Sequence, residues 1–149
     1  MKAIGEAIRA GLVQACHDLS EGGLAVAAAE MSLAGLLGMT LDLENLNVQA
    51  LPANAQAGMS APGDGKLSEK DTNSTILLFS ESPSRFLVEV ATEQQEAFEA
   101  HMRLSGVSAV SCIGLVTGEA ERFLVRHGEE ILIDLPIVAL QQAWKGEQA

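Results

Sequence analysis

Near the start of the chain Ile4, Ala7 and Ile8 recur at helical spacing while Lys2, Glu6 and Arg9 fall on the other side. This pattern predicts a short surface helix over residues 3–10, stopped by Gly11. Leu12 to Cys16 is a brief apolar stretch that predicts a buried strand, and it runs into His17-Asp18-Leu19-Ser20-Glu21-Gly22-Gly23. From Leu24 to Ala34 the chain is alanine-rich and apolar nearly all round, the pattern of a helix packed in the interior, and Gly35 is placed to end it. Met39, Leu41 and Leu43 then alternate with Thr40 and Asp42, the period-two signature of a half-buried strand.

The texture changes after that strand. Between about Gln49 and Ser74 the residues are mostly Ala, Asn, Gly, Ser, Pro, Asp and Lys, with little apolar periodicity. Such a stretch predicts a mobile loop, and its length suggests an insertion into the domain. Thr75 to Phe79 and Arg85 to Val90 look strand-like and, joined by Ser80 to Ser84, predict an antiparallel pair. Thr92, with Gln95 three residues on, matches a capping box for a helix reaching Leu104. Ala97, Phe98, His101 and Met102 share a face of that helix, which gives His101 a packing or surface role. Two further strands are predicted over residues 109–116 and 122–125. A turn at His127-Gly128 leads into Ile131 to Ile133, and a last short helix has Pro136 near its start and Trp144 near its end. Interleaved strands and helices with a hairpin predict one α+β domain, a mixed β-sheet covered by helices.

Composition narrows the function. The 149 residues suffice for a core without disulfides or metals, and no apolar run approaches the roughly 20 residues of a membrane span. Met1 to Gly5 flows straight into the amphipathic pattern and has no signal-peptide character, so the expected compartment is the cytoplasm, with no membrane partner. Cys16 and Cys112 lie far apart within apolar runs and are expected to be reduced, buried small hydrophobes. A formal charge of −11 with only nine scattered Lys and Arg residues argues against nucleic acid as a partner. A phosphate ligand would therefore rely on backbone N–H groups, with a divalent cation as a further means of offsetting its charge.

The segment His17 to Leu24 combines three devices suited to an anion. Gly22 and Gly23 allow close backbone approach, the following helix directs its unpaired N–H groups and dipole at the same spot, and Ser20 adds a hydroxyl. Ser20, Gly22 and Gly23 are thus candidate phosphate donors. On spacing alone, a plain helix cap at Ser20 and a plain turn at the glycines account for the segment equally well. His17, Asp18 and Glu21 are candidate polar or metal contacts, because carboxylates fit poorly beside a bare anion.

Ala15 to Met31, with its His-Asp-x-Ser-x-Gly-Gly-Leu centre, resembles the glycine-rich segment in the final domain of the phosphoribosylformylglycinamidine synthase family. Leu78 to Val88, Leu-Phe-Ser-Glu-Ser-Pro-Ser-Arg-Phe-Leu-Val, resembles a hairpin motif of the same domain, and the order and spacing fit up to a last helix near Trp144. The stretch 49–74 has no counterpart in the resemblance. The resemblance implies the C-terminal fold of aminoimidazole ribonucleotide synthetase, in the second of two such halves. It also implies an ATP-dependent ligase of purine biosynthesis, which converts formylglycinamide ribonucleotide to the formylglycinamidine with glutamine-derived ammonia. ATP and Mg2+ are the implied cofactors; the other synthetase domains, a glutaminase and the ribonucleotide substrate are the implied partners. The family's catalytic histidine region and main ATP and magnesium motifs have no match here, so no catalytic residue is assigned and the chain alone is expected to be inactive. Hydrogenase maturation factors, thiamine-phosphate kinases and selenophosphate synthetases share the architecture with other glycine-loop variants. A self-contained binding or regulatory module is the alternative from another class.

Overall fold

The computed structural model describes residues 1–46, 69–81, 84–118 and 122–146, with the backbone alone for 69–72. Helix α1 (Lys2–Arg9) forms as the pattern predicts, and Gly11 takes a φ of +71° just after it. Its buried residues are Ala3 and Ala7, small enough to let it lie close to Phe98 and Met102 of helix α4 (Gln95–Leu104). His101 joins the two helices through Nε2, 3.1 Å from the Ala3 carbonyl oxygen. The capping box is not formed: Thr92 lies inside a 3-10 turn, α4 starts at Gln95, and the Gln95 amide donates to Glu99 Oε1 instead. Ala97 is exposed, so the buried face is narrower than expected.

Strand β1 (Ala15–Asp18) lies further along than the predicted strand and is not buried, because it belongs to a two-stranded antiparallel ribbon with β3 (Phe86–Glu89). Cys16 and Cys112 are both free thiols and both exposed, which corrects their assignment to the core. Cys16 stands on the open side of the ribbon, and Cys112 precedes β4 (Gly114–Thr117) in irregular chain. Partial burial, then Asp18, pushes the Cys16 thiol pKa up.

Helix α2 (Gly23–Gly35) is the hub of the molecule. It touches β1, β2 (Gly38–Asp42), β3, helix α3 (Glu69–Phe79) and helix α5 (Ile137–Lys145). A helix with neighbours on every side has no solvent face to make polar, which explains its alanine-rich, unsided sequence. The residues before 69 in the predicted 49–74 loop lie outside the described set. The last residues of that stretch and Thr75 to Phe79 form α3, not a loop end and a strand. Ser74, Leu77 and Leu78 are buried at i, i+3 and i+4 spacing, so the stretch has a helical face. Accordingly Leu78 to Val88 is a helix end followed by a strand rather than a hairpin.

The main sheet has the order β4-β2-β5-β6, with β5 spanning Arg122–His127 and β6 Glu130–Pro136. β2 runs parallel to β5 and antiparallel to β4, so the sheet is mixed. Gly114 is required where β4 meets β2, since a Cβ there would stand 2.0 Å from the Thr40 carbonyl oxygen. The β5–β6 hairpin turns where predicted, with Gly128 at φ +64°. Met39, Leu41, Phe123 and Val125 are buried in the main core with Leu24, Ala27, Ala28 and Leu77. Arg122 pairs with Asp134 and Arg126 with Asp42 on the opposite face. The α+β architecture of helices over a mixed sheet is thus observed. Among the described residues no helix is long and apolar enough to cross a membrane.

Candidate functional site

The glycine loop joins the ribbon to the main core. Its first fixed point is Leu19, which is buried and whose N–H donates to the Arg85 carbonyl at 3.0 Å. Ser20 and Glu21 follow at the exposed crest. Gly22 and Gly23 then take φ values of +71° and +67°, in the left-handed region where a Cβ is strained. Gly22 is the N-cap of α2 and no side chain caps the helix, so Ser20 is not acting as a cap.

Two different contacts require the glycines. A Cβ on Gly22 would lie 2.3 Å from Val26 Cγ2, within α2 itself. A Cβ on Gly23 would lie 2.7 Å from the Leu78 carbonyl oxygen and 2.9 Å from that of Ser80. The first turn of α2 therefore rests directly on the end of α3, and the positive end of one helix dipole faces the carbonyls of the other. The Gly22 N–H donates to Glu81 Oε1 at 2.8 Å. A side-chain carboxylate from the second motif thus occupies the anion position at the N-terminus of α2.

Arg85 fixes the other side of that motif. Its Nη2 donates to both the backbone oxygen and the hydroxyl of Ser80, its Nε is buried with no partner among the described residues, and burial lowers its pKa. His17, next to last in β1, has Nε2 2.8 Å from Glu30 Oε2 of α2 and Nδ1 2.7 Å from the Asp18 carbonyl oxygen. These contacts raise its pKa, the Asp18 carbonyl contributing most and Glu30 after it, against partial desolvation. The Asp18 side chain is 58% exposed.

Of the residues singled out in the sequence, the structure ties His17 to Glu30 and to the backbone oxygen of Asp18, seats Gly22 on Glu81, and leaves Ser20 and Glu21 at the surface. Among the described residues no group of three or more His, Cys, Asp or Glu side chains is arranged to hold a metal ion. Sequence reasoning missed the parts played by Glu30, Glu81 and Arg85. The clue for Glu30 was present, since it is the one charged residue in α2. The partner of Glu81 lies 59 residues away, beyond any local pattern.

Beside the loop, a cavity of about 620 Å³ opens between the ribbon with its two helices and the main sheet; Leu19, Leu41, Phe86, Met102 and Val110 are among its walls. Leu115 stands on β4, also lines it, and is 69% exposed.

Comparison with known proteins gives a consistent placement. Residues 1–126 match the family model described as AIR synthase related protein, C-terminal domain. Phosphoribosylformylglycinamidine synthase II from Thermotoga maritima superposes with a TM-score of 0.68 at 21% identity, over 93% of this chain and 20% of that one. T. maritima PurL complexed with FGAR gives 0.67 at 20% identity, and PurL complexed with ATP gives 0.68 at 20%, both with the same coverage. This chain thus spans about one fifth of the length of the solved structures it matches. With the strand-loop-helix unit, the mixed sheet and the family match in agreement, the chain belongs to the AIR synthase related protein C-terminal domain family.

Proposed function

We propose that this chain is the C-terminal domain of a cytoplasmic phosphoribosylformylglycinamidine synthase. That enzyme is an ATP-dependent C–N ligase converting formylglycinamide ribonucleotide to formylglycinamidine ribonucleotide with glutamine-derived ammonia. The observation that carries this reading is the meeting of the two motifs that resemble that family: Gly22 of the first is hydrogen-bonded to Glu81 of the second. The fold likeness to the T. maritima synthases over 93% of the chain supports it. The apolar cavity and the exposed Leu115 beside it support a cleft completed by another domain of the synthetase.

In this reading the glycine loop faces the phosphate of a nucleotide or ribonucleotide. Ser20 supplies a hydroxyl at the exposed crest, the N-terminus of α2 supplies a favourable field, and Gly22 and Gly23 let the backbone lie close. Glu81 and the phosphate compete for the Gly22 N–H, so binding involves a shift of Glu81. No side chain of this chain is given a step in the chemistry. The described residues do not gather the ligands a magnesium site needs, so no step is routed through that ion.

Two measurements test the proposal. The 149-residue chain alone should produce no formylglycinamidine ribonucleotide from ATP, substrate and ammonia, because one wall of a cleft cannot position the reactants. In the complete enzyme Ser20→Asp should fold normally and bind nucleotide or ribonucleotide more weakly, since it sets a negative charge against the phosphate. Unchanged affinity in titrations of a normally melting Ser20→Asp enzyme would refute the phosphate role of the loop.

A further inference from the structure

The contacts of His17 ask for a particular protonation state. Nε2 faces the Glu30 carboxylate at 2.8 Å, and Nδ1 faces the Asp18 backbone oxygen at 2.7 Å. An ionised carboxylate and a carbonyl are both acceptors without a proton to give. A neutral imidazole has one N–H, so it satisfies one of these oxygens and turns a lone pair on the other. The imidazolium satisfies both.

A second, independent observation concerns Glu30. It is the only charged residue of α2, a helix otherwise built from Gly, Ala, Leu, Val, Met and Ser, and its side chain is only 32% exposed. Its partner in this structure is His17, across the glycine loop. We propose that His17 and Glu30 form a proton-operated staple, which as imidazolium and carboxylate clamps the end of β1 to the middle of α2 and holds the intervening glycine loop in its shape. Loss of the proton frees one end of the staple. This holds whatever the loop binds.

The surroundings favour the charged form. On its own strand His17 is followed by Asp18, whose Oδ1 is 3.8 Å from Nδ1, and preceded by the Cys16 thiol, whose pKa is raised. From α2 it meets Glu30. From β3, where Leu87 is its register partner, the charged residue is Glu89, opposite Ala15. Arg85, just before β3, turns its guanidinium to Ser80. The raised pKa of His17 sets the sign: the staple adds stability that is complete below the ordinary histidine value and is lost as pH rises through the folded value.

NMR titration of the 149-residue chain tests this, with His101→Gln and His127→Gln assigning the other two imidazoles. His17 should titrate above an unstructured histidine peptide, with both ring nitrogens protonated on the acid side of its midpoint. Glu30→Gln should bring that midpoint down. Amide protection factors for residues 19–24, corrected for intrinsic exchange, should fall across the His17 midpoint in the wild type and stay flat in Glu30→Gln. A wild-type midpoint at or below the peptide value overturns the proposal, and so does protection indifferent to it; both are read without any Glu30 variant. A midpoint unmoved by Glu30→Gln overturns it as well.

Discussion

Among the described residues there are two apolar cores of unequal size. The larger gathers α2, α3, α5 and the inner face of the four-stranded sheet around Phe123, Leu41 and Leu77. The smaller has four buried residues, Ala3, Ala7, Phe98 and Met102, under α1, α4 and the β1–β3 ribbon. The first is organised by a helix with no polar side, the second by two amphipathic helices that each give up one narrow stripe. The glycine loop runs between them: its entry, β1, pairs with β3, whose Val88 packs on the small core, and its exit, α2, lies in the large one. What the difference teaches is that such a loop can be held in a strained backbone conformation because both flanks are anchored in packed structure.

Breaking the bridge should have the largest effect. Gly23→Ala combines left-handed strain with a clash against fixed α3 backbone, about 1–3 kcal/mol from each source, for a total loss of about 2–6 kcal/mol in urea unfolding. Gly22→Ala meets the same strain, but its clash is with the Val26 side chain, so Gly22→Ala with Val26→Ala should recover part of the loss. A similar lack of recovery at both positions would show that the bridge is not set by the packing described. Next, Phe123→Ala in the large core should cost about 3–5 kcal/mol and lower protection across the main sheet. Phe98→Ala should fall at or below the low end of that range, with its loss of hydrogen-exchange protection confined to α1, α4 and the ribbon. Equal, global effects from both would mean that the cores behave as one cooperative unit.

The smallest effect separates the two regions by pH. Asp42 of the main sheet accepts from the Gly128 and Glu44 N–H groups and pairs with Arg126, and the Gly128 bond leads in holding its pKa below the usual aspartate value. Its contribution is therefore present above the ordinary aspartate range and lost as pH falls through the folded value. The melting-temperature gap between wild type and Asp42→Asn should close on acidification. A gap that stays constant would count against a charge-specific role. The His17 staple has the opposite sign and weakens towards alkali.

The unequal cores also explain how much could be read from the chain. Periodicity located α1, α2, β2, the β5–β6 hairpin and α5, because each shows its burial in a local pattern. Thr75 to Phe79 misled because a short apolar run fits a strand or a buried helix, and the pairing of β1 with β3 depends on distant chain. At the loop, Gly22 and Gly23 were legible from chemistry, since positive φ is a property glycine carries with it. Glu30 and Glu81 were not, because their roles lie in what a carboxylate meets across the fold.

The pairing of the main sheet bears on the order of assembly. β2 follows α2 directly, yet both its neighbours, β4 and β5, come late in the chain. While a ribosome is still making the middle of the protein, β2 has no strand to join, and Met39 and Leu41 have no sheet to be buried in. Closing so long a loop carries an entropic cost that only late contacts repay, which slows folding. An alanine-rich α2, with Glu30 as its one charge, waiting for that event is the surface through which nascent chains would stick to one another or recruit a chaperone.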